Sequence, residues 1–551
     1  MIHTLDITIS ALYITAIFVI GLWAGLKHKN QSKGSSSEAG AYFLAGKTLR
    51  WPTIGLALFA TNISCVHLVS LAQSGFDTGL LNGNFEWMAA FVLILLALFF
   101  APFYIRSGVS TLPDFLEKRY DRASRDWLAV ISVVSAVIVH ISFSLLAGGI
   151  VLQTLFGVDM YTSVIAISVI TAIYTIVGGL TAVVVTESIQ TIVLLVGAII
   201  ISIAAYYKMG GWEPMVNVLQ QTNQLDKLSM MRPHGDASGM PWYAVFLGYP
   251  ILGIWYWCAD QTIVQRVLGA KDENHARIGP LFCGFIKILP VFIFVLPGLF
   301  AYTLSQTGRL DISVLQTVTE GETVVNSKGI YTLMITQLLP KGLVGILVAA
   351  LLSGLMSQIS GALNSISTLV SYDLYQRRKP AASDKELIRV GKISAAIALV
   401  VSLATLPLLN SYESIFNGLN DIIAHIAPPI TCVFLLGIFW EKASAESAKY
   451  TLWIGSAVGV IVFTINKLGP ESLIGQVPFM VMAFYLFCFC VLIQIIFSRI
   501  FPVRHTAASR LLFWKSPFES LQNPGWKGVG NYKTLSVLLA CIMCFLFWFF
   551  R

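Results

Sequence analysis

The sequence predicts an all-α polytopic membrane protein with about 14 transmembrane helices, on three observations. Windows of ~20 apolar residues recur from one end to the other, each long enough to cross a bilayer. Hydrophobic residues make up 56% and charged residues only 12% of the 551, roughly half the charge expected of a soluble chain. The Lys and Arg residues fall mainly in alternate connections between those windows. The net charge of +8 is therefore a matter of membrane orientation before it is one of nucleic acid, and no nucleic-acid partner is implied.

In chain order the windows span 7–26, 50–72, 84–105, 127–155, 161–178, 184–207, 242–265, 278–304, 331–371, 390–409, 414–440, 450–466, 477–498 and 534–550. The first follows Asp6 rather than a basic stretch, and no small-residue cleavage site comes after it, so it reads as a retained helix. The ninth is too long for one straight crossing, so it tilts strongly or includes an interfacial segment. Basic residues crowd the connections after the first, third, seventh, ninth and thirteenth windows, for example Arg377, Arg378 and Lys379. The opposite connections hold few, such as Lys208, Arg309 and Lys341. The positive-inside rule then places both termini outside a cell (plasma or inner) membrane. All eight cysteines lie within apolar windows without zinc-type spacing and read as small core residues.

Polar residues within these windows mark the functional region. Lys287 sits inside the apolar stretch 278–302, where a lysine costs about 3 kcal/mol or more at the centre of a membrane helix. Glu86, at the start of another apolar run, is its best partner. The second window holds the cluster Ala60-Thr61-Asn62-Ile63-Ser64-Cys65-Val66-His67, and the seventh holds Gly248-Tyr249-Pro250 and Gly253 ahead of Trp255-Tyr256-Trp257. These two interruptions lie five helices apart, as an inverted repeat of helices 2–6 and 7–11 requires. Discontinuous helices at matching positions of two halves point to a transporter's binding site.

The motifs Tyr42-Phe43-Leu44-Ala45-Gly46-Lys47, Phe85-Glu86-Trp87, Trp255-Tyr256-Trp257-Cys258-Ala259-Asp260-Gln261, Val264-Gln265-Arg266, Leu363-Asn364-Ser365 and Pro428-Pro429 stand in order over about residues 40 to 445. Together they resemble the sodium/glucose cotransporter branch of the sodium:solute symporters. The resemblance implies a LeuT-type 5+5 inverted-repeat core at 50–440, with repeats at 50–207 and 242–440. A leading helix and loop at 1–49 precede the core, and three accessory helices at 441–551 follow it. It implies a solute site of Asn62, His67, Glu86, Tyr256, Trp257, Lys287 and Asn420. Tyr256 would close the site from the cytoplasmic side, and Leu71, Phe85 and Phe416 would form the outer gate.

The chemistry suits a sugar or polyol. Amides, a carboxylate and an ammonium satisfy a ring of hydroxyls, while aromatic rings cover its C–H face. The family's Na+ site corresponds to the carbonyls of Ala60 and Ile63 together with Gly354, Ser357 and Gln358. Gln358 replaces the second of two serines, so either its carbonyl or its NH2 would face the ion. A second ion site would use Glu187 and Ser360, and Gly361 removes a serine hydroxyl from it.

The expected function is secondary active import of a sugar or polyol by alternating access, with Na+ as co-substrate. A Na+-independent or H+-coupled carrier remains open, as does a symporter of another small organic solute such as an amino sugar or organic acid. An enzyme is not expected, because the sequence holds no HExxH and no clustered carboxylate motif, and its eight histidines are scattered. Oligomeric state is not legible.

Overall fold

The computed structural model describes residues 3–32, 37–236, 238, 240–319, 322–409, 415–468 and 477–551. Among these, eleven segments are long and apolar enough to cross a membrane. Three places separate that number from the fourteen windows. Cys65–Arg106 and Met160–Met209 each count once, although they contain 42 and 50 residues. At 1.5 Å per residue the longer would extend about 75 Å, more than twice the ~30 Å hydrocarbon core. It changes direction at Gly179, whose φ of 60° and ψ of −157° are not helical. The third is the broken crossing from Trp242 to Leu268, which is not among the eleven.

Helix Leu343–Leu369 is the axis of the bundle. It is buried on all sides, with 89% of its best membrane-length window covered, as a helix surrounded by other helices requires. Helices Thr4–Ser32 and Met160–Met209 pack along it. Asp6 joins the first of these to its N-terminus, accepting from the backbone N–H groups of Gly342 at 2.7 Å and Gly345 at 2.8 Å. Those donors are left over at a helix start, and a carboxylate there also complements the helix dipole. The interfacial segment expected within 331–371 is a separate helix, Ile330–Leu338, which ends before Pro340.

The second crossing breaks where its polar cluster predicted. Trp51–Asn62 stops at Ile63, which has an extended backbone, and Cys65–Thr78 begins after Ser64. Ser64 caps the new helix by accepting from Val66 N–H at 3.2 Å, and its own N–H donates to His67 Nδ1 at 3.3 Å.

The seventh crossing departs from expectation. Its break was expected at Gly248-Tyr249-Pro250, but the helix runs through Pro250 and a π-helical turn, Trp255–Ala259, before stopping at Asp260. Gly248 serves packing instead, since a Cβ there would lie 2.4 Å from the carbonyl oxygen of Met480. Asp260 starts the next segment, Gln261–Leu268, by accepting from Thr262 N–H at 2.7 Å.

A short antiparallel hairpin, Gln316–Thr319 with Glu322–Val325, lies in the connection that precedes Ile330–Leu338. Five cysteines are buried as expected, whereas Cys488, Cys541 and Cys544 face outward on the C-terminal helices.

Candidate functional site

Helix Glu273–Ile286 ends in mid-span because Pro290 has no N–H to donate and its ring clashes with the carbonyl four residues before it. Lys287 occupies the resulting turn. Trp87 Nε1 donates to the exposed carbonyl of Ile288 at 3.2 Å, so the kink leaves that oxygen satisfied. From the turn, Lys287 Nζ donates to Glu86 Oε2 and, at 2.5 Å, to Asn62 Oδ1. Asn62 Nδ2 in turn donates to the Tyr256 hydroxyl at 3.2 Å. Lys287 is 1% and Glu86 2% exposed, so the pair is buried although both groups are formally charged.

These residues line a cavity of about 770 Å³, mouth included, which lies between both broken crossings. His67 lines it and brings Nε2 to 4.0 Å from Glu86 Oε1. Trp257 faces Lys287, with Nζ 5.6 Å from the ring centroid, and packs edge-on against Tyr256 at 5.3 Å. Asn420 and Phe85 complete the expected set on the wall. Leu71 does not join them; it is buried in the surrounding core, and Ser70 lines the cavity instead. The side chain of Phe416 lies outside the described residues.

The ion-site residues gather at the first break. Ser357 Oγ donates to Ala60 O at 2.9 Å and to Gly354 O at 3.1 Å. Three oxygens therefore meet where the first half-helix ends, and Ile63 follows within the same break. Gln358 does not join this group. Its side chain turns to His140, with Nε2 2.6 Å from His140 Nδ1.

The second ion site expected at Glu187 and Ser360 is replaced by an ion pair. Glu187 Oε1 lies 2.5 Å from Arg266 Nη2, Oε2 lies 3.3 Å from Arg266 Nε, and Thr61 Oγ1 donates to Oε1 at 3.0 Å. Ser360 Oγ donates to Ser357 O at 3.0 Å. A Cβ at Gly361 would come within 2.5 Å of Arg266 Nη2, so the glycine leaves room for the guanidinium.

Sequence reasoning missed Tyr249, His140, and Asp260 as His140's partner. Tyr249 lines the cavity and packs edge-on against Phe85 at 5.6 Å. A lone histidine in mid-span carries no motif, and Tyr249 was read as part of a helix break.

Comparison with known proteins fits this arrangement. The model of the sodium:solute symporter family matches residues 42–455. The chain belongs to that family. It is 34% identical over 477 residues to sodium/glucose cotransporter 1 of Ovis aries, covering 83% of this chain and 71% of that protein. It is 33% identical over 487 residues to a sodium/mannose cotransporter of Bos taurus, covering 86% and 81%. Among solved structures, an outward-open Na+-coupled sialic acid symporter aligns with a TM-score of 0.77 at 22% identity, over 92% of this chain and 100% of that one. That likeness supports the LeuT-type fold. The chain is a multi-pass membrane transporter, not an enzyme.

Proposed function

We propose that this symporter imports a neutral sugar or polyol together with Na+ across the cell membrane, with both termini outside, and that 50–207 and 242–440 are its two inverted repeats. One observation carries the solute assignment: Glu86, Lys287 and Asn62 form a connected, buried polar cluster on the wall of a cavity between two broken helices. Its formal charges cancel, so the site favours an uncharged solute rich in donors and acceptors. Tyr256 and Trp257 supply aromatic faces for the C–H surface. The names of the sugar-transporting relatives agree with this reading.

Na+ takes hard oxygen ligands, like other hard cations. Ala60 O, Ile63 O, Gly354 O and Ser357 Oγ are of that kind and sit where the first half-helix meets the axial helix. An ion among them braces the break, and Asn62 lies within that break. Ordering Asn62 orders Lys287 and Tyr256 through the hydrogen bonds that link them. Ion and solute therefore raise each other's affinity by the same factor. Tyr256 covers the solute on the cytoplasmic side and moves away for release, while Phe85 helps close the outer side.

Uptake of radiolabelled hexoses, inositols and amino sugars into proteoliposomes, with Na+, Li+ or choline outside, tests the proposal. Concentrative uptake of a neutral sugar driven only by a Na+ gradient is expected. Preference for an organic acid would redirect the solute assignment.

A further inference from the structure

Three buried side chains beside the Glu86–Lys287 cluster form an unbroken chain across three elements. Asp260 accepts from Thr262 N–H through Oδ1, and its Oδ2 lies 3.0 Å from His140 Nε2. A carboxylate only accepts, so Nε2 carries the proton and donates. In the neutral ring Nδ1 then offers a lone pair, and Gln358 must present its NH2 to it. The orientation of the Gln358 amide follows from this sequence of bonds. With nitrogen committed to His140, Oε1 is left over. Gln358 is 4% exposed, and Oε1 has no hydrogen-bond partner among the described residues.

A buried carbonyl without a donor is unfavourable and calls for a partner. Gln358 and His140 line the same cavity as Asn62, Glu86 and Lys287. Ser357, one position earlier on the axial helix, points instead to Ala60 O. The two neighbours have thus divided: the hydroxyl serves the break, and the amide bonds His140 beside the cavity. Two acceptors on that wall are already engaged, while Glu86 Oε1 makes no hydrogen bond among the described residues. Asn62 spends Oδ1 on Lys287 and Nδ2 on Tyr256, and Glu86 Oε2 is taken by Lys287. A polyol brings a donor with every hydroxyl, and each one needs an acceptor.

We propose that Gln358, oriented by the Asp260–His140 pair, is a specificity-determining residue whose Oε1 accepts a hydrogen bond from one hydroxyl or N–H of the bound solute, and is not an ion ligand. The inference rests on the sugar reading of the cavity. His140 and Asp260 are positioning residues, acting only through the amide. A solute lacking a donor at that one position leaves Oε1 unpaired and is discriminated against, while loss of a hydroxyl elsewhere has its own, independent effect.

The test uses full-length protein in proteoliposomes and the best sugar of the uptake panel, with its complete set of deoxy and O-methyl analogues. Gln358→Met is expected to raise the KM of the parent sugar roughly 10- to 100-fold. For the single analogue lacking the contacted donor, variant and native KM should agree within about threefold. Na+ binding without sugar, measured by calorimetry, should stay within about twofold of native. Gln358→Ser, the serine pair of the family, carries the same prediction should the methionine variant fail to fold. His140→Ala should reproduce the analogue-selective pattern, and His140→Asn, which keeps an acceptor near the Nδ1 position, should restore the native one. Weakened Na+ binding without sugar, joined to an equal loss for the parent and every analogue, would overturn the inference and return Gln358 to the ion. Failure of the native protein to carry any sugar defeats the sugar reading and this inference together, whereas sugar uptake with uniform losses defeats the inference alone.

Discussion

Two acid–base pairs lie buried within this bundle, and they differ in what surrounds them. Glu187 and Arg266 are both 0% exposed, joined by two contacts from one guanidinium, with Thr61 Oγ1 and Thr262 O taking up further bonding capacity. Glu86 and Lys287 have nearly the same burial, but they border a cavity, and Glu86 Oε1 lies 4.0 Å from His67 Nε2. Lysine is a single point charge on a flexible stem, whereas arginine offers a planar fork that fixes its partner. The enclosed pair locks helices together. The pair on the cavity wall keeps bonding capacity for a solute. Burial alone does not distinguish structure from function here; unfilled hydrogen-bonding capacity beside a cavity does.

The largest effect expected from this contrast is on folding. Arg266→Ala strands a fully buried Glu187, which costs roughly 3–5 kcal/mol. Loss of monodisperse protein in detergent, read by fluorescence size-exclusion chromatography, is the expected result. Replacing both partners by apolar residues, Arg266→Met with Glu187→Leu, should recover most of the folded material. Recovery that fails would mean the pair does more than hold helices together.

Lys287→Ala should act the other way. Glu86 then faces the cavity, where water reaches it, so the protein folds but transport falls by ~100-fold or more. Measuring uptake and thermal stability on the same preparation separates the two losses. A Lys287→Ala protein that is as unstable as Arg266→Ala would erase the distinction between the pairs.

Tyr256 sharpens the comparison at its edge. Tyr256→Phe removes only the hydroxyl that accepts from Asn62 and should slow uptake about 2- to 10-fold. Tyr256→Ala also removes the ring that covers the solute and should slow it further still, as initial-rate uptake would show. The smallest effect concerns the ion. Ser357→Ala takes away one proposed oxygen ligand and should raise the Na+ concentration for half-maximal uptake about tenfold, leaving the maximal rate close to native.

Much of the site was legible because charge in an apolar window is costly enough to be conspicuous. Lys287, Glu86 and the Asn62 break stood out for that reason, and the structure brings all three together. The seventh crossing was harder. Proline and glycine suggest its break, yet a membrane helix tolerates both where neighbouring helices accommodate them. The better signal was Asp260 followed by Gln261-Thr262, a capping residue starting a new helix in mid-sequence. His140 gave no signal by spacing, because its partners, Asp260 and Gln358, are 120 and 218 residues away in the chain. The replacement at Gln358 was visible as a departure from the family, but its direction was not. An amide on a flexible stem turns wherever its partners lie, and only the fold places His140 beside it.

Na+ is proposed to drive a neutral sugar through the cavity walled by Glu86, Lys287 and Asn62. Uptake of a labelled hexose into proteoliposomes, native beside Lys287→Ala, under an inward Na+ gradient and under choline at fixed pH, tests it most directly. Concentrative uptake is expected of the native protein in Na+ alone, and none of a Lys287→Ala protein that remains monodisperse. Equal native uptake in Na+ and choline, or full-rate uptake by the folded variant, would contradict it.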